Sequence, residues 1–305
     1  MKETTKDILV SQTSSKRLDQ WLSDHFSDHS RSYFQKLIEG SKVLLNGAPT
    51  KKQHKLEEGD QLEIQFEDPP QLDIHPEDIP LDILFEDEHL IAINKPSGMV
   101  VHPAPGAYTG TFAAALLHHC KTLNPADFEA MRPGIVHRLD KETTGVLVAA
   151  KTLAAHQKLT HQFAERTARK RYLAICCNTP PEGRYSAPIK RHPVKRKEMR
   201  VDEEGKEAIS SFSVKRKNGE LSFVEVEIHT GRTHQIRVHL KHLGAPVLGD
   251  PVYGNPNQNK KHGANRQLLH AEYLKISHPH TGEPLELTAP IPSDMKIFIE
   301  QIELA

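Results

Sequence analysis

The segment Gly134-Ile135-Val136-His137-Arg138-Leu139-Asp140-Lys141-Glu142-Thr143-Thr144-Gly145-Val146-Leu147-Val148 sets a charged stretch between two apolar runs. Asp140 offers a carboxylate, with Arg138 and Lys141 close by. A loop anchored this way holds its polar side chains at the edge of a core. There a carboxylate can serve as nucleophile, electrostatic stabiliser or base. Read locally, the same residues also fit a surface turn with a local ion pair. A second segment, His229-Thr230-Gly231-Arg232-Thr233-His234-Gln235-Ile236-Arg237-Val238-His239-Leu240, places a tight turn at Gly231 before a helix. Free N–H groups at a helix start can bind an anion. Arg237 and Lys241, four apart, share a helical face. The plain alternative is an amphipathic helix with a basic outer face.

Several chemistries lack their signatures. There is no Gly-x-x-x-x-Gly-Lys phosphate loop, no Gly-x-Gly-x-x-Gly fingerprint and no Gly-x-Ser-x-Gly elbow. The chain has 20 histidines, but His118-His119, His239/His242 and His278/His280 lack the cysteine partners or the His-Glu-x-x-His spacing that zinc would need. Cys120, Cys176 and Cys177 form no Cys-x-x-Cys motif, so a reduced cytosolic protein without disulfides or metal is expected.

The elements that position these segments are partly readable. Leu90–Ile93, Val146–Ala150 and Tyr172–Ile175 are strand-like, the second buried on both faces. Val224, Val226 and Ile228 alternate with Glu225 and Glu227 as in a half-buried strand. Thr152 can cap a helix carrying Leu153, Leu159 and Phe163. Ile236, Leu240 and Leu243 fall at helical spacing. Regular βαβ alternation is missing, which predicts an α+β domain around a mixed or antiparallel sheet.

Residues 15–67 look like a separate small module. Leu18, Trp21 and Leu22 mark one helix. Ser30 fits an N-cap for a second, bearing Tyr33, Phe34, Leu37 and Ile38 and closed by Gly40. Val43–Leu45, the hairpin dipeptide Asn46-Gly47 and the alternating Leu62, Ile64 and Phe66 complete a short sheet. Residues 68–84, with Pro69, Pro70, Pro76 and Pro80 among acids, read as a linker. Residues 85–305 would form the second domain.

The formal net charge is zero, yet the charges are segregated. No Lys or Arg occurs from Leu56 to Asn94. Arg184, Lys190, Arg191, Lys195, Arg196, Lys197 and Arg200 meet only Glu198 in their span, and Ile228–Gly249 contains no acid. Such segregation can give a polyanion a preferred face. No apolar run approaches the ~20 residues of a membrane helix, and Met1–Lys6 lacks the apolar core of a secretory signal.

The N-terminal pattern resembles the S4 RNA-binding domain, carried by Arg17-Leu18-Asp19, Ser30-Arg31-Ser32, Gln35-Lys36-Leu37-Ile38, Gly40, Val43, Asn46-Gly47 and Leu56-Glu57-Glu58-Gly59-Asp60. The rest resembles the RluA-type pseudouridine synthases across Asn94-Lys95-Pro96-Ser97-Gly98, His137-Arg138-Leu139-Asp140, Lys170-Arg171-Tyr172, Gly231–His239, Gly249-Asp250-Pro251-Val252-Tyr253-Gly254 and Leu269-His270-Ala271. The family usually has Thr-Ser-Gly where this chain has Thr143-Thr144-Gly145; Thr keeps the hydroxyl, so little effect is expected.

The resemblance implies isomerisation of uridine to pseudouridine in RNA, without cofactor or metal. It places the catalytic carboxylate on Asp140 and its cationic partner on Arg237. Tyr172 would pack on the target base, and Arg138 would fill the space left when the uridine leaves its stack. His137 would hold the loop rather than move protons. Arg17, Arg31, Lys36, Lys195, Arg196, Lys197 and Arg232 are expected to contact RNA. Large-subunit ribosomal RNA is the expected target and a cytoplasmic monomer the expected form; a tRNA target, or a ribosome-assembly role with little catalysis, remains an alternative.

Overall fold

The computed structural model describes residues 4–10, 12–26, 29, 31–66, 74–103, 107–125, 128, 132–195 and 197–304. The chain divides into two compact units, residues 1–73 with 125–131, and residues 74–124 with 132–305.

The first unit comprises β1 (Thr4–Leu9), α1 (Leu18–His25), α2 (Arg31–Glu39), β2 (Val43–Leu45), β3 (Ala48–Pro49) and β4 (Gln61–Phe66). Its sheet has the order β1-β4-β2-β3. Leu18 and Leu22 on α1, Phe34, Leu37 and Ile38 on α2, and Val43, Leu62 and Ile64 from the sheet close one core. Asn46 (φ 52°) and Gly47 (φ 76°) are both left-handed, as the two-residue hairpin turn requires. Two features differ from the sequence reading. β1 precedes residue 15 and pairs antiparallel along the whole of β4, a long-range pairing that no local pattern announces. The left-handed residue after α2 is Ser41 (φ 57°) rather than Gly40. Ser30 lies outside the described residues, as does most of the linker's first half.

The second unit comprises β5 (Ile83–Glu86), β6 (Leu90–Lys95), α3 (Phe112–His119), β7 (Thr144–Ala150), α4 (Leu153–Ala164), β8 (Arg169–Cys177) and β9 (Gly183–Ser186). It continues with β10 (Ile189–Arg191), β11 (Met199–Val201), β12 (Ile209–Lys217), β13 (Leu221–Ile228), α5 (Gln235–His242), α6 (Pro256–His262), β14 (Leu269–Ser277), β15 (Pro284–Thr288) and α7 (Ser293–Glu303). A nine-stranded sheet runs β5-β6-β7-β14-β8-β13-β12-β9, with β15 on the second half of β14. The β7–β14 pair is parallel and the other named pairs are antiparallel, so the domain is α+β around a mixed sheet. β5 takes Ile83 and Leu84, the last two residues of the expected linker.

Burial follows the strand patterns. All seven residues of β7 are buried; Val146, Val148 and Ala150 share one core cluster with Ala155 and Leu159 of α4, Leu274 of β14 and Leu287 of β15. Each fully buried aliphatic side chain there contributes about 1.5–3 kcal/mol. β13 alternates buried and half-buried residues, which fits one covered face. Thr152 caps α4 by accepting from the Ala155 N–H, although Leu153 is exposed rather than packed. Gly145 (φ 111°) sits where β14 approaches β7: a Cβ there would lie 2.2 Å from the Ala271 carbonyl oxygen. Beside it the Thr144 hydroxyl bonds His270 Nδ1 at 2.8 Å; His270 Nε2 donates to the Ala289 carbonyl. The hydroxyl therefore donates to the ring.

Candidate active site

The Asp140 loop folds back along β7. The Val148 N–H donates to His137 Nε2 at 2.9 Å, and the imidazole stacks on Phe163 with ring centroids 4.6 Å apart. Desolvation, then the charge of Lys170, hold the His137 pKa down to about 3. A neutral acceptor of a main-chain bond is a loop anchor, not a proton carrier. On the other side Lys95, at the end of β6 and fully buried, donates to the carbonyls of Pro96, Met99 and Lys141 at 2.8, 3.0 and 2.9 Å. Desolvation draws its pKa down to about 7, against the opposing charges of Glu142 and Asp140. The sequence motif contained Lys95, but its role as a clamp on the Asp140 loop depends on two segments meeting 46 residues apart.

The turn before α5 is fixed as firmly. Gln235 Oε1 accepts from the Thr230 hydroxyl at 2.6 Å and the Arg232 N–H at 3.0 Å, and its Nε2 donates to the Ile209 carbonyl. His234 is left-handed (φ 56°) at the helix start. Arg237 is therefore aimed inward, and only 4% of it is exposed. This corrects the alternative of a basic outer face: the helix turns Arg237 into the core because two carboxylates wait there. Its Nε and Nη2 grip Asp250 at 2.7 and 2.9 Å, and Nη1 donates to Asp140 Oδ2 at 2.8 Å. Asp250 also accepts the N–H groups of Val252 and Tyr253. Desolvation acts to lower the Arg237 pKa, but the bonds and charges of Asp250 and Asp140 raise it overall. Arg237 is a fixed cation that presents one donor to Asp140.

The other carboxylate oxygen of Asp140 faces His234. Tyr253 Oη accepts the Met199 N–H at 2.7 Å, so its one proton is free to donate to His234 Nδ1 at 2.8 Å. That assignment leaves the proton of the neutral ring on Nε2, which stands 3.8 Å from Asp140 Oδ1. Desolvation lowers the His234 pKa, opposed by Asp140 and reinforced by Arg237. Asp250, Tyr253 and His234 all lie in quoted motifs, yet no local pattern assigned them to the site.

Asp140, Arg138, Tyr172, Arg232 and Arg237 line one cavity of about 380 Å³. Asp140 is the only acid among the described residues lining it. Tyr172, on β8 opposite Val226, is 8% exposed; burial first, then the Asp140 charge, push its phenol pKa up. Arg138 is exposed on the cavity lining and has no hydrogen bond or ion pair with another described residue. Lys195 and Lys197 lie on the β10–β11 connection and not on this lining. Lys195 pairs with Glu198 at 3.2 Å; Lys197 is exposed. Arg196 lies outside the described residues.

In the first unit the expected RNA-contacting residues have a shared support. Asp19, fully buried, accepts from Arg17 at 3.0 and 3.2 Å, Arg31 at 3.1 Å and Gln35 at 2.6 Å. Burial opposes its charge, but these donors hold its pKa far below the usual carboxylate range. Lys36 is exposed on the same helix as Arg31. Elsewhere, Glu86, His119 and Cys120 bring three metal-capable atoms within 4.8 Å. Glu86 is already bonded to Lys151 at 2.7 Å and His119 at 2.9 Å, an ion-pair network that opposes a cation.

Residues 89–242 match the RNA pseudouridylate synthase family and residues 16–62 match the S4 domain. An uncharacterised RNA pseudouridine synthase of Bacillus subtilis is 41% identical over 299 residues, covering 97% of each chain. A protein of Pasteurella multocida named ribosomal large subunit pseudouridine synthase D is 40% identical, covering 94% of this chain and 90% of its own. Among solved structures, the protein Human RNA Pseudouridylate Synthase Domain Containing 4 is 28% identical with a TM-score of 0.58, covering 72% of this chain and 92% of that one. The chain therefore belongs to the RNA pseudouridylate synthase family, RNA-binding enzymes that isomerise uridine to pseudouridine, and carries an S4 domain ahead of its catalytic sequence.

Proposed function

We propose that this chain modifies uridines of large-subunit ribosomal RNA, as a cytoplasmic monomer without cofactor, using Asp140 as its catalytic carboxylate. One observation carries the assignment: a lone carboxylate, held by the buried Arg237 at 2.8 Å, in a cavity that also presents Tyr172. Hydrolytic glycosidases pair two carboxylates, one of them to activate water or protonate the leaving group. A lone carboxylate beside a fixed cation suits cleavage of the N1–C1′ bond and rejoining at C5, where water would only divert the reaction.

Arg237 orients Asp140 through a charge-assisted bond. Tyr172 supports the uracil ring, and the uncommitted Arg138 occupies the gap left by the flipped nucleotide. Arg17, Arg31, Lys36, Lys195, Arg196, Lys197 and Arg232 contact the RNA backbone. The ribosomal target is supported by the names of relatives such as that of Pasteurella multocida.

Asp140→Asn is expected to abolish tritium release from RNA labelled at uridine C5 while RNA binding persists; near-normal release would sink the assignment. Mapping pseudouridines in total RNA with and without the gene identifies the target. Loss confined to tRNA would refute the ribosomal part.

A further inference from the structure

The cavity has a second, basic region. Lys170 lines it two residues before Tyr172 on β8 and is only 9% exposed. Residues i and i+2 of a strand project from the same face, so the two side chains stand side by side. The Lys170 ammonium makes no hydrogen bond or ion pair with another described residue; it lies 5.7 Å from the centre of the Phe163 ring, on which His137 stacks. Desolvation and then the Arg166 charge both act against this cation, and no carboxylate of the described residues offsets them. A buried charge of this kind is costly unless an opposite charge arrives.

Arg166 and Arg232 line the same cavity, and Glu207 holds both. Its carboxylate pairs with Arg166 Nη1 at 2.8 Å, and its carbonyl accepts from Arg232 Nε at 2.9 Å. Those bonds leave Arg166 Nη2 and both Nη groups of Arg232 uncommitted among the described residues. Asp140, the one acid among the described residues of the lining, is already bonded to Arg237. Uracil and ribose are neutral, so the anion an RNA substrate can bring into this cavity is a backbone phosphate.

We propose that Lys170, with Arg166 and Arg232, forms a subsite for one phosphodiester adjoining the uridine that reaches Asp140. The inference rests on the reading of this cavity as the place where uridine reacts. The subsite sets the register of the nucleotide: anchoring one phosphate fixes the attached ribose and brings C1′ to the carboxylate.

The test uses a synthetic RNA hairpin carrying the uridine mapped as dependent on this gene. It is made with phosphodiesters throughout, or with one neutral methylphosphonate on the 5′ or the 3′ side of that uridine. With the full-length wild-type protein, one of the two modified RNAs is expected to lose about 10- to 100-fold in kcat/KM, the size of a charge-assisted contact. Lys170→Met should lose a similar factor on unmodified RNA and little more on the modified RNA. Its log Kd should depend less steeply on log salt, by about 0.7–0.9. Lys170→Arg should retain most of the activity. Losses from Lys170→Met and the methylphosphonate that simply multiply would overturn the subsite. If Lys170→Met fails to fold, the wild type alone decides: unchanged kcat/KM on both modified RNAs overturns it. A wild type that converts no uridine in the unmodified hairpin refutes the underlying reading of the cavity instead.

Discussion

Replacing Arg237 with Met strands a buried charge, and the structure says which one. The side chain makes three charge-assisted bonds, two to Asp250 and one to Asp140. The Asp140 side chain is 20% exposed and can recruit water, whereas that of Asp250 is 0% exposed. Asp250 would keep the Val252 and Tyr253 N–H groups but lose its one ion-pair partner among the described residues. Removing one partner of a buried pair costs about 3–5 kcal/mol. At about 2–4 °C per kcal/mol, the catalytic unit should melt roughly 6–20 °C lower. Adding Asp250→Asn removes the stranded charge, so Arg237→Met/Asp250→Asn should recover about half of the loss while staying inactive. Thermal unfolding by circular dichroism and C5 tritium release measure the two effects separately. Arg237→Met melting within about 2 °C of wild type, or a double variant no more stable than the single one, would refute this account of the network.

His137 predicts a pH dependence. Its folded pKa is about 3, below its ordinary 6.5, so between those values the unfolded chain takes up a proton that the folded loop refuses. The His137 contribution is full above pH 6.5 and is lost as pH falls toward 3. Urea midpoints at pH 7 and pH 5 should diverge less in His137→Gln, and an unchanged divergence would contradict the assignment. Gly145→Ala should destabilise the unit by at least about 3 kcal/mol, through positive φ and a Cβ 2.2 Å from the Ala271 oxygen; a urea midpoint equal to wild type would show that β14 can move away.

The amino-acid sequence alone determined the elements whose periodicity is local. The all-buried β7, the alternating β13, the Thr152 cap and the Asn46-Gly47 hairpin were readable, because burial on one or both faces leaves its mark every second or every fourth residue. The ordered motifs around Asp140 and Arg237 likewise sufficed to bring out the family. The resemblance already paired Arg237 with Asp140; tertiary structure alone decided that Arg237 is buried and gripped by Asp250 as well. Nothing local says that Arg237 points inward: Asp140 lies 97 residues before it and Asp250 13 after it. β1 leaves no local mark in the sequence because its partner, β4, lies more than 50 residues away. Lys170 stands in a quoted motif, but nothing local shows that it is buried with no acid beside it among the described residues. Asp140, read locally, was a surface acid between Arg138 and Lys141. In the fold it leaves both and is held by Arg237, since a charge-assisted bond from a desolvated guanidinium outweighs exposed pairs screened by water.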